Sequence, residues 1–211
     1  MNAITEFRPS KDTPKSRRTR ARILDAAMRL FAEVGYHAAS NGVIAEASRL
    51  TRGAMLYHFP TREDLVEAAI AHIQAARLAL FDAAAKAQPP GADAADYAIA
   101  SYWRLLHEMP FVAFAELESV ARTDPEVRAR IAPAQAAFDK AQVGEFLALA
   151  HAGEGARFQA SRDMARFLLE GLSRAALAGD SGERVRNLLT VAGRAVRALN
   201  RKGAPQDLWP E

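Results

Sequence analysis

Apolar residues recur every three or four positions along most of the chain, which is the spacing of amphipathic helices. The clearest stripe predicts a first helix over residues 16–34, with apolar positions at Ile23, Ala27, Leu30, Phe31 and Val34. Gly35 follows directly, and glycine is favoured just past a helix end. The pattern therefore predicts that this helix ends at Val34.

Short polar residues mark where the next helices begin. Ser40 and Asn41 can cap a second helix, and Thr51 can cap a third, because their side-chain oxygens can accept from free backbone amides. Thr61 can cap a fourth helix, with Asp64 at the position that a capping box gives to Glu or Gln. Three caps within about twenty residues predict two very short helices followed by a longer one.

Proline and glycine corners divide the rest of the chain into further helices. They are predicted over residues 62–87, 93–108, 111–122, 125–150, 156–179 and 181–202. Residues 1–15 have few apolar groups and are predicted to form a disordered arm, and residues 203–211 a loose tail. The predicted fold class is therefore all-α.

The composition agrees with a helical protein and excludes several other classes. Hydrophobic residues make up 50% of the chain, with alanine and leucine abundant and valine and isoleucine sparse. There is no cysteine, so disulfides and thiolate metal sites are excluded. No apolar run approaches the roughly 18 residues that span a bilayer, and the N-terminus lacks a secretory signal. These features predict a cytoplasmic protein.

Positive charge is concentrated at the start of the chain. Residues 1–64 carry 11 Lys and Arg against 7 Asp and Glu, whereas residues 65–211 carry 17 against 18. A basic arm beside a compact helical unit suits a polyanion such as DNA. A solubilising tail would show the same charge run, so the charge alone leaves both interpretations open.

The two short helices resemble a device for reading DNA. Neither would be stable alone, so they must pack on each other and on the first helix. Ile44, Ala45, Leu50 and Met55 are placed to hold them together, with the small Ala45 where the two helices cross. Such a pair can hold one helix in the major groove, although similar short helices occur in ordinary bundles.

Residues Thr19 to Leu65 closely resemble the DNA-binding domain of the TetR family of bacterial transcriptional regulators. The resemblance is gapless over about 47 residues and does not extend past about residue 75. It rests on Ile23-Leu24-Asp25-Ala26-Ala27, Leu30-Phe31, Gly35-Tyr36, Ile44-Ala45, Thr51-Arg52-Gly53-Ala54, Tyr57-His58-Phe59 and Thr61-Arg62-Glu63-Asp64-Leu65. It implies a helix-turn-helix domain over residues 16–64 and a helical ligand-binding and dimerisation domain over residues 65–202.

The resemblance implies a recognition helix from Thr51 to Tyr57. Arg52, Gly53 and Ala54 would face base edges, while the remaining residues would contact the phosphate backbone. The implied DNA-binding residues are Arg17, Arg18, Arg20, Asn41, Gly42, Thr51, Arg52, Gly53, Ala54, Tyr57, His58 and Arg62.

Several of these residues have a structural alternative. His58 is as well suited to bracing the domain as to touching DNA, and Arg62 could be a solvated residue at a helix start. Phe59 is better explained as a core aromatic, whereas Tyr57 is not.

Two positions depart from the family pattern. Arg49 stands in the turn where the family commonly has glycine, and a left-handed backbone there would cost on the order of 1 kcal/mol. Leu56 stands where many relatives have a tyrosine that binds phosphate, which leaves Tyr57 to make that contact.

The resemblance also implies a dimer, because one helix-turn-helix contacts too few base pairs and relatives bind two-fold operators as dimers. Apolar and small residues of the last two long helices are candidates for the interface, and plain core of a monomer is the alternative. The candidates are Phe167, Leu168, Gly171, Leu172, Ala175, Leu188, Leu189, Ala192, Val196 and Leu199.

A ligand pocket inside the bundle is the third implication. Aromatic residues at helical spacing are more often plain core, but a few polar residues lie among them. The candidate pocket residues are Tyr102, Trp103, His107, Phe111, Phe114, Glu116, Phe138 and Arg162. An apolar or aromatic effector is expected.

The predicted function is a dimeric repressor that a small-molecule effector releases from a palindromic operator. No catalytic residue, metal or cofactor is predicted, since the chain lacks a nucleophile elbow, a phosphate loop and ligand-spaced histidines. A ligand-independent architectural protein is the main alternative, which a bundle without a cavity would favour.

Overall fold

The computed structural model describes the backbone of residues 13–150, 156–176 and 182–200, and the side chains of residues 13–141, 158–175 and 182–199. Within these ranges the secondary structure is all-α, which confirms the predicted fold class. The helices are α1 (Pro14–Val34), α2 (Asn41–Ala47), α3 (Arg52–His58), α4 (Arg62–Lys86), α5 (Ala94–Leu105), α6 (Met109–Ala121), α7 (Pro125–Ala150), α8 (Ala156–Ala176) and α9 (Gly182–Asn200).

The predicted caps are confirmed for all three helices of the turn region. Ser40, Thr51 and Thr61 each accept a hydrogen bond from the backbone amide three residues on. Asp64 completes a capping box, because its carboxylate accepts from the Thr61 amide at 3.1 Å. Local chemistry thus defines the start of each of these helices.

Two predicted helix starts are wrong in the same way. α1 begins at Pro14, where residue 16 was predicted, and α6 begins at Met109, where residue 111 was predicted. In both helices a proline lies in the first turn, where its missing amide costs nothing. Residues 14 and 15 are therefore helical and do not belong to a disordered arm, while residues 1–12 and the predicted tail lie outside the described residues.

The apolar core of the N-terminal helices continues into the bundle. Ile23, Phe31 and Met55 are buried in one cluster with Phe114 and Leu117 of α6. Residues of α5, α6, α7, α8 and α9 form a second cluster. The domain boundary at residue 64 stays a prediction. The helices on either side of it pack into one continuous core.

α4 connects the two clusters. Its buried residues recur at helical spacing from Leu65 through Ile73 to Arg77. α4 packs on α1 as well as on α5, α6 and α7, so it contacts helices in both parts of the molecule. In the described part of the chain no helix has the length and apolar character to cross a membrane.

The turn between α2 and α3 contains a left-handed residue that is not glycine. Arg49 has φ 55°, and the Leu50 amide donates to the Ala45 carbonyl at 2.9 Å to close the turn. The departure noted at Arg49 in the sequence therefore coincides with an unfavourable backbone conformation.

We expect Arg49→Gly to raise the free energy of unfolding by about 1 kcal/mol, because glycine adopts positive φ without a Cβ clash. Urea unfolding followed by circular dichroism measures the change. Arg49→Ala is the matched control, since it removes the same side chain but keeps the Cβ, and it should bring no gain. Equal stabilisation by both variants would show that the side chain, and not the backbone, carries the cost.

Candidate nucleic-acid interface

The recognition helix α3 has a buried face and an exposed face. Met55 and the following Phe59 are at most 1% exposed and anchor α3 in the core. Arg52 and Gly53 are exposed, and the Tyr57 side chain is 69% exposed. The structure therefore presents Arg52, Gly53 and Tyr57 to solvent on one short helix, as a reader of the major groove requires.

Neither glycine of the candidate interface is required by the fold. A Cβ built on Gly53 would meet nothing within 4 Å among the described residues, and one on Gly42 would meet the Ser40 hydroxyl at 3.8 Å, an ordinary contact. Both residues lie in helices, where glycine is unfavourable. A close approach by another molecule is the physical reason that remains for glycine at these positions.

Arg20 is engaged inside the domain. Its Nη1 donates to the His58 carbonyl at 2.6 Å, and its guanidinium lies 4.2 Å from the centroid of the Phe59 ring. It therefore joins α1 to the end of α3. The guanidinium thus braces the recognition helix, and a phosphate contact by Arg20 stays a prediction.

Arg62 also makes hydrogen bonds within the domain. The sequence suggested either a DNA contact or a solvated residue at a helix start, and neither interpretation includes these bonds. Its Nη1 donates to the Ala39 carbonyl at 2.7 Å and its Nη2 to the Tyr36 carbonyl at 3.2 Å. Its guanidinium also lies 4.9 Å from the centroid of the Tyr36 ring. Its Nη1 donates a second hydrogen bond, to Asn41 Oδ1 at 3.4 Å. Arg62 therefore holds the turn between α1 and α2 against the start of α4.

His58 suits the bracing interpretation better than a charged phosphate contact. Its Nδ1 is buried without a hydrogen-bond partner in the described part of the chain, and its ring meets Tyr57 edge-on at 5.3 Å. Burial, and after it the nearby Arg20, lower the pKa of His58 below its usual value, so the ring is neutral near pH 7.

The remaining predicted contacts lie around this face. Thr51 is exposed and caps α3, Ala54 is half-buried behind it, and Arg17 and Arg18 lie on the exposed side of the first turns of α1. The interface is thus built from the start of α1, the start of α2 and the outer face of α3.

The candidate pocket residues do not form one site. Phe111, Phe114 and Phe138 are buried core aromatics. Trp103 meets the exposed His107 edge-on, with the ring centroids 4.6 Å apart. Glu116 lies at the contact with the N-terminal helices, where its Oε1 accepts from the Tyr36 amide at 2.9 Å. These placements correct the predicted pocket for Trp103, His107 and Glu116.

A pocket does lie between α4, α5 and α8, and Tyr102 and Arg162 belong to it. Its free volume is about 50 Å³. It is lined by Phe81, Ala84, Ala85, Tyr97, Ala98, Ile99, Ser101, Tyr102, Leu105, Arg162, Ala165, Arg166 and Leu169. Its walls are mostly apolar, with a few polar groups at the α8 side.

A polar network beside this pocket escaped the sequence analysis. The Tyr102 hydroxyl donates to Glu170 at 2.9 Å, Arg166 donates to the same carboxylate at 2.7 Å, and Arg166 also pairs with Asp139. Burial and the Glu170 charge raise the pKa of Tyr102. The signal in the sequence was Arg166 and Glu170, four residues apart on the helix that carries Leu169 into the core.

The predicted dimer face divides into exposed and buried residues. Phe167 is 63% exposed, and Gly171 and Ala175 are exposed on the same helix. Leu168, Leu188 and Leu189 are half-buried. Leu172, Ala192, Val196 and Leu199 are buried within the protomer, which corrects their assignment to the interface.

The sequence of the N-terminal helices matches that of a known protein family. Residues 23–69 match the family described as "Bacterial regulatory proteins, tetR family". The HTH-type transcriptional regulator UidR of Escherichia coli (strain K12) is 36% identical over 90 residues. This match spans 43% of the chain and 44% of UidR, so it covers less than half of the relative's length.

Solved structures resemble the chain over both parts. Salmonella enterica GusR has a TM-score of 0.64 at 24% identity, over 87% of this chain and 95% of GusR. LfrR from Mycobacterium smegmatis, solved in complex with proflavine, has a TM-score of 0.56 at 23% identity, over 87% and 96% of the two chains. At these identities the likeness establishes the fold.

The recognition helix α3 is exposed on a unit of three helices, and this unit packs on a helical bundle. This arrangement is that of a helix-turn-helix protein. The N-terminal helices of the chain, over residues 23–69, are similar to the DNA-binding part of the TetR family of bacterial regulatory proteins. UidR and LfrR are transcriptional regulators by name, and the name of UidR states the helix-turn-helix type.

We expect Gly53→Ala to fold at least as well as the native chain, with up to about 1 kcal/mol of added stability from helix propensity. Its binding to specific DNA should weaken roughly tenfold, about 1.4 kcal/mol, because the methyl group holds α3 away from the groove. Denaturant unfolding and fluorescence anisotropy with labelled DNA measure the two effects.

Val112→Ala is the control for helix propensity, since Val112 is exposed on α6 outside the candidate interface and alanine has the higher helix propensity. Unchanged DNA affinity of Gly53→Ala, together with a similar stability gain in both variants, would remove the close approach from the interpretation.

Proposed function

We propose that the protein is a sequence-specific transcriptional repressor that binds a palindromic operator as a homodimer and leaves it when a small apolar or aromatic effector binds. The observation that carries the proposal is the exposed face of α3, where Arg52, Gly53 and Tyr57 stand on a helix anchored by Met55 and Phe59. A protein acting on bacterial DNA in this way works in the cytoplasm.

Base recognition falls to Arg52. Its guanidinium has the reach and the paired donors to bind guanine, which discriminates against other bases by about 1–3 kcal/mol. Arg17, Arg18 and Tyr57 would contact phosphates and set affinity without setting sequence. The neutral His58 and the two internal braces, Arg20 and Arg62, keep α3 in position for this contact.

The proposed dimer uses the outer face of α8 and α9. Phe167 and Val191 are 63% and 55% exposed, and Met164 is 37% exposed, on two helices that pack on each other. Gly171 and Ala175 leave room for a helix of a second copy to approach. Two-fold pairing would set two recognition helices about 34–36 Å apart, one turn of DNA.

The proposed effector site is the apolar pocket between α4, α5 and α8. Its Phe81 and Ala84 belong to the same helix whose first residue, Arg62, holds the turn between α1 and α2. A ligand that binds two positions of α4 unequally would change the spacing of the recognition helices. LfrR, a fold neighbour, was solved with proflavine.

The experiment that tests the proposal is selection of genomic DNA fragments by the purified protein at physiological salt. We expect a palindromic site, with half-sites one helical turn apart. Arg52→Ala should relax base preference at one position of each half-site. Arg18→Ala is the matched comparison, and it should weaken all sequences alike and reduce the salt slope by about one. Sequence-blind binding that responds to salt alone would refute the repressor.

Phe167→Glu tests the dimer face. A charge at the centre of an apolar interface costs about 2 kcal/mol or more, so the variant should be monomeric at concentrations where the native chain is dimeric. Analytical ultracentrifugation measures this, and the affinity for the palindrome should fall with it. Val112→Glu, an exposed apolar residue on α6 outside this face, is the control and should leave the dimer intact. A dimeric Phe167→Glu variant would place the interface elsewhere.

A further inference from the structure

Arg49 occupies a backbone conformation that its side chain disfavours. Among the described residues, positive φ is found at Gly35, at Gly91 and at Arg49, and the two glycines adopt this conformation readily. At φ 55° the Cβ of Arg49 crowds the neighbouring backbone, so an arginine here destabilises the fold. Strained residues of this kind persist where they serve a function, and the side chain of Arg49 is the place to look for it.

The Arg49 side chain adds no polar contact to the fold. It is exposed, and its guanidinium makes no hydrogen bond or ion pair with any residue that the structure describes. Even Glu46, an exposed acid three positions earlier on α2, is not paired with it. Arg20 and Arg62, by contrast, both donate to backbone carbonyls of the domain. The donors of Arg49 are therefore available to another molecule.

The backbone around Arg49 is held on both sides. The Arg49 amide donates to the Glu46 carbonyl at 2.8 Å, and the Leu50 amide donates to the Ala45 carbonyl at 2.9 Å. Thr51, two positions on, caps the recognition helix α3. The side chain thus starts from an ordered turn directly before α3, and a preorganised group loses less entropy when it binds.

The position of Arg49 suits the sugar-phosphate backbone of DNA. It lies three residues before Arg52, to which the proposed function gives base recognition, and both side chains are exposed. Across residues 41–59 these two arginines face one acidic residue, Glu46. Phosphates line the edges of the groove that α3 would enter, and the planar guanidinium of arginine donates paired hydrogen bonds to phosphate oxygens.

We propose that Arg49 binds a DNA phosphate at the edge of the major groove, and that this contact explains a non-glycine residue at a left-handed position of the turn. The strain is present in the free protein, while the contact forms only in the complex. Arg49 therefore lowers the stability of the fold and raises the affinity for DNA. The proposal rests on the proposed function, because it takes DNA as the molecule that α3 contacts.

Three substitutions separate the side chain of Arg49 from its backbone. Arg49→Ala removes the guanidinium and keeps the strain, Arg49→Gly removes both, and Arg49→Lys keeps the charge. Fluorescence anisotropy at several salt concentrations measures binding to a random duplex and to the palindromic fragment recovered by selection. Arg49→Ala and Arg49→Gly should weaken binding to both duplexes roughly fivefold per protomer at about 0.15 M salt, and should reduce the salt slope by about one per protomer. Arg49→Lys should keep the native slope.

Two other arginines frame this result. Arg104→Ala removes an exposed arginine of α5, which packs on α4, α7, α8 and α9, and should leave the salt slope unchanged. Arg18→Ala should reduce the slope as a phosphate contact does. Since Arg49→Gly should also unfold at higher urea than the native chain, its weaker binding cannot come from a damaged fold.

Glu46 offers an alternative explanation, in which Arg49 only offsets the repulsion between this carboxylate and DNA. A double-mutant cycle with Glu46→Gln tests it. If Arg49 binds phosphate, Arg49→Ala should weaken binding by the same factor in the Glu46→Gln background as in the native chain. Native affinity in the double variant would overturn the phosphate contact.

The remaining outcomes separate this proposal from the proposed function. A native salt slope in Arg49→Ala, beside a reduced slope in Arg18→Ala, would overturn the phosphate contact and leave the DNA-binding function intact. Failure of the native chain to bind either duplex would overturn both. A loss confined to the palindrome, with a changed base preference, would show that Arg49 contacts a base and would also overturn the proposal.

Discussion

The turn between α1 and α2 is held by charged side chains that come from two other helices. Arg62, at the start of α4, donates to the carbonyls of Tyr36 and Ala39, and Glu116, from α6, accepts from the Tyr36 amide. Gly35 passes beneath Glu116 with φ 86°, where a Cβ would come within 3.0 Å of the carboxylate. The position of α2, and through it of α3, depends on this junction, so the DNA-facing surface is fixed partly by the bundle.

Much of the fold could be predicted from local chemistry, because helix caps act over three residues. Ser40, Thr51 and Thr61 are cap residues by type, and the structure uses each one so. α1 and α6 begin two residues before their predicted starts, because proline is compatible with the first turn of a helix. The strain at Arg49 could also be foreseen, since its position in the turn requires a backbone that glycine prefers.

The functional groups that depend on distant contacts could not be predicted in the same way. Glu116 and Tyr36 are 80 positions apart, and Tyr102 and Glu170 are 68 apart, so no sequence spacing brings either pair together. The charge of Arg20 and Arg62 predicted contacts with DNA phosphates. In the structure both side chains donate hydrogen bonds to backbone carbonyls of the same domain.

The shared core has a consequence for how the protein is made. Ile23, Phe31 and Met55 are buried against Phe114 and Leu117, and residues of α7 complete the same cluster. The ribosome synthesises α1, α2 and α3 before α6 and α7. Part of the apolar surface of these three helices therefore stays exposed until α6 and α7 have been made. During synthesis the chain cannot complete the core beneath α3 before α6 and α7 have emerged.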